Sequence, residues 1–109
     1  MASKYGFIDK SGKVVIEPQF DLVEDFSEGL TRVVKDGKYG FIDKSGKVVI
    51  EPQFDSTYAF SEGLVQVKKD GKWGYIDKNG KVVIEPQFDK TSAFSEGLAW
   101  FEGVVEIEP

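Results

Sequence analysis

The side chains of this sequence that could do chemistry are carboxylates, hydroxyls and lysines, because it holds no Cys and no His. Ser27, Ser61 and Ser95 each open a Ser-Glu-Gly triplet. A Ser-His triad is excluded without an imidazole to take the serine proton, so the triplet reads as turn chemistry. Glu17, Asp21, Asp25 and Glu28 invite comparison with an acid/base pair. Such a pair needs a defined separation across a cleft. Nothing here sets one, and these carboxylates largely return later in the chain, so they read as solvated loop charges. Asp43-Lys44-Ser45-Gly46 and Asp77-Lys78-Asn79-Gly80 resemble the start of a calcium loop. A working loop needs more oxygens and a closing glutamate, and lysines flank both stretches. The better reading is a hairpin turn whose Asp bonds its own backbone. The usual zinc, copper and haem ligands are missing, and the glycines match no phosphate-binding pattern. We therefore expect no enzyme, no catalytic residue, no cofactor and no metal.

A formal net charge of -5 disfavours nucleic acid and anionic lipid as partners. No apolar run approaches the roughly 20 residues of a membrane span, and no signal peptide is visible at the start. The expected partners are thus a protein or a second copy, with no nucleic acid and no membrane.

These residues are held by a repeat. Tyr5, Tyr39 and Trp73 open its copies, a period of 34 residues (39 minus 5, and 73 minus 39). Lys38–Lys44 is short and aromatic. Lys47–Pro52 is β-branched and should stop at its proline, which cannot donate to a ladder. Ser45-Gly46, Asn79-Gly80, Asp36-Gly37 and Asp70-Gly71 are hairpin dipeptides. Each unit reads as a meander of three antiparallel strands: about 30–35, 38–44 and 47–52, then about 64–69, 72–78 and 81–86. The chain begins with second and third strands only (about 4–10 and 13–18). It closes with a first strand at Leu98–Phe101 and a divergent tail, 104–109, expected to cap the stack beside Trp100.

The expected fold is all-β: tandem 34-residue repeats in an elongated or arced stack, with a closed three-unit ring or a dimer-completed ring as the alternative. We expect a single repeat domain over 1–109: a half-unit at 4–29, full units at 30–63 and 64–97, and a C-terminal half-unit with its cap at 98–109. The connection after each third strand holds two recurring aromatics, Phe54 and Phe60 in the fullest example, and should pack down onto the sheet. A helical turn or an irregular loop would both suit it, with Gly63 at positive φ.

Lys72-Trp73-Gly74-Tyr75-Ile76-Asp77-Lys78-Asn79-Gly80, followed by Phe94-Ser95-Glu96-Gly97-Leu98, resembles the WG (KWG) repeat family over residues 4–101. Tyr5 and Tyr39 stand where the family's Trp is expected. The resemblance implies a β-rich bacterial repeat scaffold with no general enzymatic activity or cofactor. Residues 5–38 and 39–72 differ only at positions 22, 23, 24, 25, 31, 32 and 34, so the units are either a recent duplication or a regularised design.

Binding information must then lie in the few variable positions. Arg32, Gln66 and Trp100 share one place in the repeat, on the opposite face from Val33, Val67 and Phe101. With Tyr58 from the variable loop they form the candidate interaction surface. The expected function is a non-enzymatic scaffold for protein binding or self-assembly. The alternative is a lectin-like module that takes a carbohydrate or small ligand on surface aromatics.

Overall fold

The computed structural model describes residues 3–103. It is all-β and antiparallel. The strands are β1 (Tyr5–Ile8), β2 (Val14–Phe20), β3 (Leu22–Val23), β4 (Leu30–Lys35), β5 (Lys38–Asp43), β6 (Val48–Phe54), β7 (Ser56–Thr57), β8 (Leu64–Lys69), β9 (Lys72–Asp77) and β10 (Val82–Phe88). They form a hairpin, β1-β2, and two four-stranded sheets in the orders β3-β4-β5-β6 and β10-β9-β8-β7. The expected meander is present in both sheets, with a two-residue strand added at one edge. The sheets do not close on each other, so the stack is open rather than a ring. Its extents are 64 × 33 × 21 Å, and its radius of gyration is 16.1 Å, against about 13 Å for a compact domain of this length.

Turn chemistry sets the hairpins. Asp36-Gly37 and Asp70-Gly71 carry two successive positive φ values (52° and 79°, 51° and 81°), as a tight two-residue turn requires. The Ser45-Gly46 turn is one residue longer than a two-residue hairpin: Asp43 N–H bonds the Lys47 carbonyl around Lys44-Ser45-Gly46. The Asp43 carboxylate accepts from the N–H and hydroxyl of Ser45 and from the N–H of Lys47, at 2.7–3.0 Å. Asp9 and Asp77 take the same backbone bonds in their own turns.

The third strand does not stop at its proline, and a bulge explains why. Tyr39 faces Phe54 and Phe41 faces Ile50, so β6 spends four residues where β5 spends two. The surplus arches over Gly40. A Cβ there would lie 2.5 Å from the Ile50 carbonyl oxygen and 2.6 Å from the Pro52 nitrogen. Gly6 and Gly74 are equally crowded. This is the physical demand behind the glycine that follows each opening aromatic. Proline suits the arch because its nitrogen leaves no orphan donor there.

The core lies between neighbouring sheets, not within one. Ile16, Phe20, Val33 and Ile42 form one buried cluster. Leu30, Phe41, Ile50, Phe54, Phe60, Val65, Val67 and Ile76 form the other. The loop aromatics pack down as expected: Phe60 meets Phe41 edge-on with ring centroids 4.8 Å apart. The loop is a tight turn with no helical residue, closed by paired backbone bonds between Ser61 and Leu64. Leu98–Phe101 is not a continuous strand among the described residues. It makes isolated bridges only, Ser95 to Leu98 and Thr91 to Phe101.

Candidate functional site

Position 32 lies on β4, opposite Phe41 in register. Arg32 reaches out from it across the junction between the two sheets. Its Nη2 donates to Glu24 Oε1 at 2.8 Å. Its Nη1 donates to the carbonyl of Thr57 on β7. The guanidinium carbon sits 5.4 Å from the Tyr39 ring centre and 6.0 Å from that of Tyr58, within cation–π range of both. Tyr58 stacks on Trp73 at 5.5 Å with 22° between the planes. Tyr39, Arg32, Tyr58 and Trp73 therefore form one row that crosses from one sheet to the next.

A groove of about 320 Å³ opens beside this row. Leu30 and Phe41 lie at its apolar floor, and Glu24, Asp25, Tyr58 and Ala59 belong to its lining. Six of the ten lining residues (Glu24, Asp25, Thr31, Arg32, Tyr58 and Ala59) occupy positions at which the two near-identical units differ. These six are scattered in sequence and gathered in space.

Arg32 and Tyr58 thus meet, as one surface should. Gln66 does not join them. It was expected on an exposed polar face, yet it is only 4% exposed, and its Oε1 has no partner among the described residues. Trp100 is exposed at the far end, bordering a shallow depression with Ser92, Ser95 and Leu98. Its backbone N–H donates to Ser92 Oγ at 2.9 Å. The capping strand expected at 104–109 lies outside the described residues.

Sequence reasoning missed a second feature, built on Ser-Glu-Gly. Glu62 and Gly63 are both left-handed, with φ of 53° and 77°. Successive residues of this kind aim their N–H groups to one side and make an anion nest. Glu28 of the preceding unit fills it, Oε2 accepting from Glu62 N–H and Oε1 from Gly63 N–H, both at 3.0 Å. Glu62 in turn accepts from Glu96 N–H at 2.6 Å and Gly97 N–H at 2.9 Å. The serines tie the same junctions: Ser27 Oγ donates to the Phe60 carbonyl at 3.1 Å and Ser61 Oγ to that of Phe94 at 2.8 Å. Lys78 Nζ adds an ion pair to Glu28 at 3.3 Å. Burial, the largest single influence on Glu28, pushes its carboxyl up. The Gly63 N–H, Lys78 and the Glu62 N–H together outweigh it and hold the group below its ordinary value. The signal for this clamp was the return of one Glu at the repeat period, beside a Glu-Gly turn.

The family model described as WG containing repeat matches residues 5–39, 39–73 and 73–102 in tandem. No curated protein and no solved structure matches the chain.

Proposed function

The chain belongs to the WG repeat family, and from that premise we propose that it is a non-enzymatic scaffold whose constant frame presents one variable groove to a protein partner. The convergence of six variable residues on the groove between β4 and the β7–β8 loop carries this reading. Everything that repeats is spent on turns, bulges and junctions. Of the residues that differ, Glu24, Asp25, Thr31, Arg32, Tyr58 and Ala59 line the groove. Its apolar floor suits one buried side chain of a partner. Asp25 at the rim favours a basic neighbour, and Tyr58 offers a large amphipathic contact of the type found at interface hot spots.

Peptide-display selection on the immobilised full chain, followed by titration calorimetry of a selected peptide, tests the reading. Tyr58→Ala should weaken binding by about tenfold or more, with the melting temperature lowered by only a few degrees, because the half-exposed Tyr58 gives up its stack on Trp73 and no core contact. Peptides that bind Tyr58→Ala and Asp25→Ala as well as the parent would overturn it. A glycan array that retains the chain through Tyr58, with no peptide selected, would replace it by the sugar-binding alternative.

A further inference from the structure

The junction between units occurs twice inside the molecule, and each of its two halves occurs once more at an end. At the second junction Ile50, Phe54 and Phe60 on one side meet Val65, Val67 and Ile76 on the other. At the first, Ile16 and Phe20 meet Val33 and Ile42. One face of a unit therefore gives an Ile and two Phe, and the opposite face receives them with Val and Ile. Ile84, Phe88 and Phe94 hold the giving positions of the third unit and are only partly buried. Ile8 holds the receiving position of Ile42 and Ile76. It is 68% exposed, where each of those is 0% exposed.

Polar groups repeat the pattern. Glu28 and Gly29 have φ of 53° and 81° and form the same nest as Glu62-Gly63, but no carboxylate fills it among the described residues. At the other end the Glu96 carboxylate stands in the place of the two clamping glutamates and meets no N–H pair among those residues. Lys10 holds the position of Lys78, whose partner is Glu28; the same offset places Lys10 of a further unit beside Glu62. The β4–β5 register sets Leu30 against Asp43, Thr31 against Ile42, Arg32 against Phe41 and Val33 against Gly40. Applied to Leu98–Phe101, it calls for Asp9, Ile8, Phe7 and Gly6. These belong to the hairpin β1-β2, which has no first strand of its own among the described residues.

We propose that these two end faces bind each other between copies of the chain, head to tail. The hairpin β1-β2 of a second copy completes the unit begun by Leu98–Phe101, and its Glu28-Gly29 nest takes Glu96. This rests on the scaffold reading and names a partner for it: a second copy, on surfaces separate from the groove. The contact is heterologous, so it propagates as an open filament or closes as a ring according to the rotation per copy. It covers an exposed strand edge and apolar faces that a repeat array otherwise leaves open.

Sedimentation velocity of the full chain tests it. The average mass should rise with concentration over a range on the order of 1 to 100 μM. Ile8→Asp and Leu98→Asp should each remain monomeric; both positions are exposed, Leu98 by 77%, so the single chain tolerates them. Mixing the two should restore a 1:1 complex, since each retains one intact end. Glu96→Ala should weaken association by about tenfold, as expected for lost charge-assisted bonds. Tyr58→Ala should leave association unchanged, which separates failure of the groove from failure of the ends. A parent that stays monomeric throughout, or variants that do not combine, would overturn the proposal. So would a chain lacking residues 104–109 that associates where the parent does not, because the tail would then own the face.

Discussion

The carboxylate of Glu28 accepts two backbone N–H bonds from the next unit and pairs with Lys78. All of these favour its ionised form. Its folded pKa is depressed, so the folded chain binds fewer protons than the unfolded chain at mildly acid pH. The stability it contributes is full above the unfolded value, about 4.3, and is lost as pH falls through the folded value. Asp9 and Asp43 add to the same slope. The hydroxyls of Ser11 and Ser45 are their largest influences, and both carboxyls lie below their ordinary value. Glu28→Gln should lower stability at pH 7 by about 1 kcal/mol, a modest figure because the side chain is 31% exposed and partly screened. It should also flatten the loss of stability between about pH 5 and pH 3. Urea titrations across that range measure both. Identical pH slopes for parent and variant would show that the clamp carries no proton linkage.

Among the elements, β6 and its equivalents depend most on one neighbouring residue. The bulge at Glu51-Pro52 exists because Gly40 leaves room for it. Gly40→Ala drives a methyl group into backbone that has no flexible side-chain end to yield, and should cost about 3 kcal/mol, at the upper range for overpacking. Gly12→Ala is the control. Its Cβ meets nothing within 4 Å, but its φ is +87°, so it should cost only about 1 kcal/mol. Equal costs in urea denaturation would mean that the arch relaxes. The strand bounds expected from β-branched runs and hairpin dipeptides match β4, β5, β8 and β9 closely. The stop at Pro52 does not, because a proline at a bulge needs no ladder partner, and local sequence does not show where the neighbouring strand places its glycine.

At the scale of the whole molecule, each sheet depends on its neighbours for cover. Phe41, Ile42, Tyr75 and Ile76 are enclosed, while Tyr5, Ile8 and Val14 of the first hairpin stay exposed. Stability in such a stack is a sum of unit and junction terms and falls toward units with one neighbour. Amide exchange under native conditions should therefore be slowest in β5 and β9 and faster in β1 and β2, by about tenfold or more. Uniform protection from β1 to β9 would show a single cooperative block instead.

The period of 34, the turn dipeptides and the recurring aromatics are local or directly periodic. They were enough to establish an all-β chain of antiparallel hairpins and its family. They also singled out Arg32 and Tyr58, by their variability, as candidates for an interaction surface. Three things were decided only when the units stacked. Gln66 went under cover because burial depends on what the adjoining segments lay over it, and the equivalence with Arg32 carries no information about that. Glu28 became a clamp because its partners are N–H groups 34 and 35 residues away, and backbone donors have no signature in side-chain identity. The groove formed because variable residues of one unit, Glu24, Asp25, Thr31 and Arg32, meet Tyr58 and Ala59 of the next across a sheet junction whose geometry is fixed by the packing of Phe41, Phe60 and Val65.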